Sequence, residues 1–293
     1  MKFNHPFEYQ QFFWPSLKAC AQTPSYIGLS LVAVIMAATV SLTAITLNPT
    51  IGGVFTLLVA LPVTIGFLSV LALTMVVAQE AEIDLTARKL LAGARARFRC
   101  CWSTFIANSF VWNVGVGAAN GVVLTIGGGV LYLVSAGAEP SFNSGLGLAV
   151  SGLMVLGIWI VGMLGAYSLQ FLDIATSCGN LRSTASIQEA FDLLQSDWQT
   201  ILPYFLLRVT ATVFAVAFLL PVALPLVVGV GAIPSGFESG LFLFASGGLI
   251  GVIQVAHVLF YQSVSGVAPN VRDQILTSMA TEEGASPTSK ELP

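Results

Sequence analysis

The chain has 293 residues, 56% of them hydrophobic and 9% charged, with a mean hydropathy of +0.86 and a formal charge of −3. A soluble domain carries roughly 25% charged residues, so this balance excludes an ordinary soluble globule and predicts a membrane protein. The slight acidic excess implies no nucleic-acid partner.

In chain order, residues 1–25 hold Phe7, Glu8, Phe12, Phe13, Trp14 and Lys18. They lack the basic start, short apolar stretch and small-residue cleavage site of a secretory signal, so this segment is expected to be retained. Six apolar runs follow, at 26–47, 51–78, 105–134, 145–172, 201–230 and 241–264. Each reaches the ~20 residues that cross a bilayer core as helix. None alternates over about 10 residues as a barrel strand does. The expected fold is therefore all-α: a polytopic membrane protein with six transmembrane helices in one integral domain, 1–264. A polar cytoplasmic tail, 265–293, follows, and its end, "MATEEGASPTSKELP", is expected to be disordered.

The 11 basic residues avoid the short turns near Asn48, Glu139 and Pro234. They fall in the other loops and tails, save Arg208, which lies just inside the fifth span. The positive-inside rule places those loops and both termini in the cytoplasm of a cell-membrane protein. Cys20, Cys100, Cys101 and Cys178 lie on that reducing side, where disulfides are disfavoured. No Cys/His spacing of a metal site occurs.

Between the second and third spans stands "LLAGARARFRCCWSTF", 90–105. Shifted by 96 residues it lies over "SIQEAFDLLQSDWQTI", 186–201, pairing Leu91 with Ile187, Ala94 with Ala190, Phe98 with Leu194 and Trp102 with Trp198. Gly66 then falls over Gly162. The even-numbered spans reach the cytoplasmic face with Gln79, Gln170 and Gln262, followed three residues on by Glu82, Asp173 and Ser265. These echoes predict a three-fold tandem repeat of two-span units, about 1–84, 85–180 and 181–264, each opening on an amphipathic cytoplasmic elbow helix. In the second elbow Ile187, Phe191, Leu194 and Trp198 form a helical apolar stripe, and Ser186 with Glu189 matches a capping box. Such a helix lies in the interface plane. Its polar positions, Glu189, Asp192 and Asp197, are acidic where those of the first elbow are basic, so the two are expected to pair if they face one another.

"SIQEAFDLLQSDWQTILPYFLL", after a span ending "QFLDIA", resembles the six-span membrane proteins of unknown function found in haloarchaea. It is more loosely similar to the membrane domain fused to some bacterial glycerophosphodiester phosphodiesterases. The resemblance covers the layout of the whole chain and rests on this one helix-elbow motif. It implies an archaeal integral membrane module and carries over no catalytic residue. Where those fusions have a phosphodiesterase domain, this sequence has only the polar tail after Val264.

Arg88, Lys89, Arg95, Arg97 and Arg99 form a basic knot on the first elbow, interleaved with Leu90, Leu91 and Phe98. That composition suits an interfacial helix on anionic lipid headgroups, at about 1 kcal/mol per basic residue, or a protein partner on the cytoplasmic side. Within the membrane the polar candidates are Arg208, Asp173, Asn113, Asn120, Gln254 and His257. Arg208 either snorkels back to cytoplasmic headgroups, the simpler reading, or pairs with Asp173. The asparagines of the third span, with Gln254 and His257 on one face of the sixth, either join helices or line a polar cavity. Gly117–Gly121 and Gly247–Gly251 have the spacing of close helix contacts, Pro62, Pro221 and Pro225 that of kinks, and "TIGGGVLYL" that of a loosened helix end.

No HExxH, GxSxG or GKS/T motif occurs, and the histidines, His5 and His257, lie on different segments. No enzyme activity, cofactor or metal is expected. Two functions fit: a non-catalytic membrane scaffold or accessory protein, or a small-solute transporter with a polar site between its helices. The second resembles the mitochondrial carriers in length and repeat count, without their proline–acid–base signature.

Overall fold

The computed structural model describes residues 10–134, 145–169, 171–179, 183–196, 198–218, 221 and 236–284. Its elements are all helical: α1 (Gln10–Gln22), α2 (Pro24–Leu47), α3 (Pro49–Phe55), a π-helical turn (Thr56–Ala60), α4 (Leu61–Glu80), α5 (Ala87–Val134), α6 (Gly145–Leu169), α7 (Leu172–Gly179), α8 (Ser183–Ser196), α9 (Trp198–Ala217), α10 (Gly236–Val264) and α11 (Pro269–Gly284). Five stretches among the described residues are long and apolar enough to cross a bilayer: Pro24–Leu47, Pro49–Glu80, Ala87–Val130, Gly147–Gly179 and Glu238–Val264. The chain is a membrane-embedded helical protein. Its outward face carries Met36, Ile126, Leu153, Trp159 and Phe214, each at least 60% exposed, as on the face of a helical protein that lies in a membrane. The expected fifth span corresponds to α9, and most of its continuation towards residue 230 lies outside the described residues. So do the turns at Glu139 and Pro234, Pro225, Gln170, Asp197 and residues 285–293.

One residue makes the first hairpin. The side chain of Asn48 accepts a hydrogen bond from the Ile51 amide at 3.0 Å, while Pro49 opens α3 without needing a donor of its own. A Cβ on Gly52 would lie 2.2 Å from the backbone oxygen of Ala44, so only glycine lets α3 double back against α2. Gly52→Ala must push two backbones apart. It is expected to cost about 1–3 kcal/mol, read as a lower thermal midpoint in detergent, whereas Gly53→Ala, with open space at its Cβ, should leave the midpoint in place.

Helix α4 is the axis. Leu68 through Ala78 are buried without interruption, as a helix apolar on every side must be, and α2, α5, α7, α10 and α11 surround it. The distortion expected at Pro62 appears one turn earlier, as the π turn before α4, where a proline has no amide to extend the ladder. At its other end α4 stops in a Schellman motif. Ile83 donates to Ala78 O and Glu82 to Gln79 O, with Glu82 in the left-handed region at φ 53°.

Four expectations about helices are corrected. The first elbow is not a separate helix: α5 runs unbroken for 48 residues, about 72 Å at 1.5 Å per residue. Thr86 starts it, accepting the Lys89 amide at 3.3 Å, and nothing between Arg99 and Phe105 favours a break. The second elbow is described as helix as far as Ser196 and its span from Trp198, with residue 197 between them outside the described residues. That helix begins at Ser183, so the buried Ser186 is not its N-cap. The glycines of "TIGGGVLYL" sit inside continuous α5. The tail, finally, is ordered as far as Gly284: α11 lays Val271, Ile275 and Met279 against the core at four-residue spacing. Gln274 fixes it by donating to Ala96 O, and Arg272 by a 3.3 Å ion pair with Glu80.

Of the two glycine pairs, Gly247 and Gly251 do make a close crossing. They meet Leu31 and Tyr26 of α2, and Tyr26 Oη donates to Gly251 O at 2.9 Å. Gly117 and Gly121 meet nothing within 4 Å. The α5–α6 contact instead uses Gly127 against Met154, Gly157 against Val123 and Gly165 against Val116 and Trp112. The repeat positions differ in their surroundings: Gly66 packs under the ring of Phe105, while Gly162 has open space.

All four cysteines are free, and only Cys100 is exposed. Burial pushes the Cys20 thiol up to about 12, so at neutral pH it is not a thiolate. A water-soluble maleimide on native membranes is expected to add once, at Cys100, and four times after denaturation. Labelling in Cys100→Ser without denaturant would contradict this packing.

Candidate functional site

The helices bring six polar side chains from four elements to one place. Asp173, at the start of α7, follows the break between α6 and α7 and points into the bundle. Its Oδ2 accepts a hydrogen bond from Ser69 of α4 at 2.8 Å and lies 3.9 Å from Arg208 Nη2 of α9. Its Oδ1 lies 3.7 Å from His257 Nε2 of α10. Tyr204, one turn before Arg208, approaches His257 Nδ1 at 3.1 Å, and Gln254 Oε1 accepts from Ser69 Oγ at 3.4 Å. The tautomer with its proton on Nε2 serves both neighbours of His257: Nε2–H faces the carboxylate and Nδ1 accepts from the tyrosine. The imidazole is fully buried between Phe171 and Tyr204, stacked on each at 5.3 and 5.9 Å. With a neutral imidazole the cluster holds one anion and one cation. Such balance makes charge tolerable at this depth.

Arg208 therefore pairs with Asp173, and the simpler snorkelling expectation is corrected. Both side chains are about one-sixth exposed, at 16% and 15%, and what they face is cavity. One chamber, about 320 Å³, lies between the π turn and α4, α5, α7 and α9, walled by Leu57, Pro62, Trp112 and Asn113 and floored by Asp173 and Arg208. A second, about 560 Å³, lies beyond Arg208 towards α2 and α10, with Thr56, Thr64, Thr212 and Gln254 on its wall. Leu61, Ile65, Ala166 and Arg208 are common to both. Both are largely apolar, open clefts that meet at Arg208, and Asp173 lines only the smaller of them.

A second polar centre holds the C-terminal end of α7. Arg97, expected on the lipid-facing knot, is instead buried, 1% exposed. Its Nε donates to Ser177 O and its Nη2 to Thr176 O, both at 2.8 Å. Ala268 N donates to Cys178 O. The last turn of a helix leaves its carbonyls without intrahelical partners and carries partial negative charge, and Arg97 answers both needs. Asn108 adds a bond from Nδ2 to Thr176 Oγ1 at 3.1 Å.

The other expected site residues divide. Arg88, Arg95 and Arg99 are exposed and Lys89 is half-buried, so only these four can meet headgroups or a partner. Asn113 lines the smaller chamber, held by its own helix through Ser109. Asn120 reaches neither chamber, and its Oδ1 is buried with no hydrogen-bond partner. Glu189 accepts from Tyr261 of α10 and from Ser265 just after it rather than pairing with the basic elbow. Ser69, Tyr204 and Trp112 were not foreseen. Tyr204 carried a signal, one helical turn from Arg208, whereas Ser69 carried none. Among the described residues no group of three His, Cys, Asp or Glu is placed to hold a metal. No family model matches the chain, and no curated protein or solved structure is significantly similar to it.

Proposed function

We propose that the protein is a permease-like membrane protein that takes a small, largely apolar solute carrying one polar group into the chambers beside Arg208. The observation that carries this reading is Arg208, common to the walls of both chambers and paired with Asp173 on the smaller one. Ionisable residues within a membrane mark solute or proton paths when they face a cavity, and an apolar pocket with few convergent polar groups is the usual form of a small-molecule site. In this reading α9 continues as a sixth span. Both termini, the α5 start and α8 lie on the cytoplasmic side of a cell membrane, as the basic residues require. The three two-span units form a tandem array of the kind resembled in haloarchaeal proteins.

Benzyl alcohol, benzylamine and benzoate share one apolar body and differ in charge. At least one is expected to raise the thermal midpoint by several degrees at saturation, since a ligand at a hundred times its Kd adds about 2.7 kcal/mol. Leu61→Trp, which adds bulk at the common wall of the two chambers, should reduce the shift. No stabilisation by any of the three, or a shift that Leu61→Trp leaves unchanged, overturns the reading.

A scaffold is the second reading, favoured by one observation. The exposed Arg88, Arg95 and Arg99 of α5 and Asp192 of α8 form no ion pair with one another among the described residues, which leaves both charged surfaces open to a cytoplasmic partner. Mild-detergent purification followed by mass spectrometry separates the readings, because a scaffold retains a stoichiometric protein partner.

A further inference from the structure

A third cavity, about 500 Å³, runs as a groove between α2 and α4 on the outer face of the bundle. Leu29 and Val40 mark its ends on α2, Phe55 and Phe67 line its opposite wall, and Leu91 and Phe98 of α5 close it at the α5 start. The only hydroxyl on its wall, Thr64, is spent within its own helix, donating to Ala60 O at 2.7 Å. From Leu29 to Val40 the groove follows α2 for about 16 Å at 1.5 Å per residue. One leaflet of a bilayer core is about 15 Å deep, half of ~30 Å. The groove has the length of one lipid chain.

Its closed end is basic. Arg95 lies four residues after Leu91 and three before Phe98, on the same face of α5, and Arg88 lies three before Leu91. Both arginines are exposed and neither forms an ion pair among the described residues. Trp102, four residues beyond Phe98 on that face and 49% exposed, stands where an aromatic belt meets the headgroup level. The charge and the groove share one helix face.

We propose that this groove is a binding site for an anionic phospholipid, one hydrocarbon chain lying along α2 and the phosphate on Arg95, with Arg88 beside it. The site shares no residue with the Asp173 cluster. Arg97 takes no part, because it is buried on the opposite face.

The test uses the full chain in detergent, titrated with phosphatidylglycerol, with phosphatidylcholine of the same chains, and with glycerol phosphate as the headgroup alone. Bound lipid is counted by native mass spectrometry. Phosphatidylglycerol is expected to bind about thirtyfold more tightly than phosphatidylcholine, the preference two basic residues near a surface confer. Arg95→Gln should cut that preference to about fivefold, the double variant Arg88→Gln/Arg95→Gln should erase it, Arg99→Gln should keep it, and Ala33→Phe, which narrows the groove, should weaken both lipids alike. No headgroup preference in the unmodified chain, or a preference untouched by Arg95→Gln, overturns the proposal. So does glycerol phosphate binding as tightly as the lipid, which would make the site a phosphate site without a chain. A protein partner lost with Arg95→Gln would assign the surface to that partner instead.

Discussion

Arg97→Ala is expected to lower the stability of the folded protein by about 3–5 kcal/mol, since it removes two charge-assisted hydrogen bonds of roughly 1.5–3 kcal/mol each. The carbonyls of Thr176 and Ser177 then lose these donors, in the last described turn of α7. Lysine restores a charge but not the fork that reaches two carbonyls at once, so Arg97→Lys should recover part of the loss. Arg95→Ala and Arg99→Ala, on the exposed face, should stay within about 0.5 kcal/mol of the parent. Thermal unfolding of the four variants in one detergent decides the point. An Arg97→Ala midpoint equal to that of Arg95→Ala would mean that α7 does not depend on this side chain.

The second large effect belongs to the ion pair. Asp173→Ala removes the carboxylate that Arg208 meets beside an apolar chamber, and Arg208→Ala removes the guanidinium from a carboxylate that still meets His257 and Ser69. Each is expected to cost about 3 kcal/mol, the scale of an uncompensated charge inside a membrane. The double variant removes both charges and should cost less than the two singles together by at least about 1 kcal/mol. Strictly additive losses would show that 3.9 Å of separation carries no coupling, and that the cluster is held by its hydrogen bonds alone.

Much of the architecture is legible because bilayer length and apolar composition are strong constraints. Five of the expected spans appear as helices, and the Gly247–Gly251 crossing is where its spacing puts it. Arg97 was legible too, by a finer rule. Residues two apart on a helix point to nearly opposite sides, so Arg95 and Arg99 share a face that Arg97 cannot. Leu90, Ala94, Arg97, Cys101 and Phe105 form one buried stripe, and an arginine on such a stripe has to be satisfied from inside the protein. Reading the five basic residues as one knot followed composition where periodicity was the better guide. In α11 likewise, Val271, Ile275 and Met279 follow a stripe that the polar residues between them conceal.

The site itself was half legible. An arginine within a span must find an anion or water, and Asp173 was the nearest acid on the same side. That His257 and Tyr204 stack and join it depends on how α9 and α10 rotate against each other. Glycine contacts and ring packing set that rotation, and no local pattern reports them. The chambers are legible only in three dimensions, because the side chains that wall them are the ordinary leucines and isoleucines of any span.

The central claim is that those chambers admit solute rather than lipid. With Cys100 replaced by serine, Ser109→Cys places a thiol in the smaller chamber and Thr212→Cys one in the larger. A water-soluble, membrane-impermeant methanethiosulfonate applied to vesicles of either orientation is predicted to label both. If neither thiol reacts while native Cys100 does in the parent chain, the chambers are lipid-filled clefts and the permease reading is wrong.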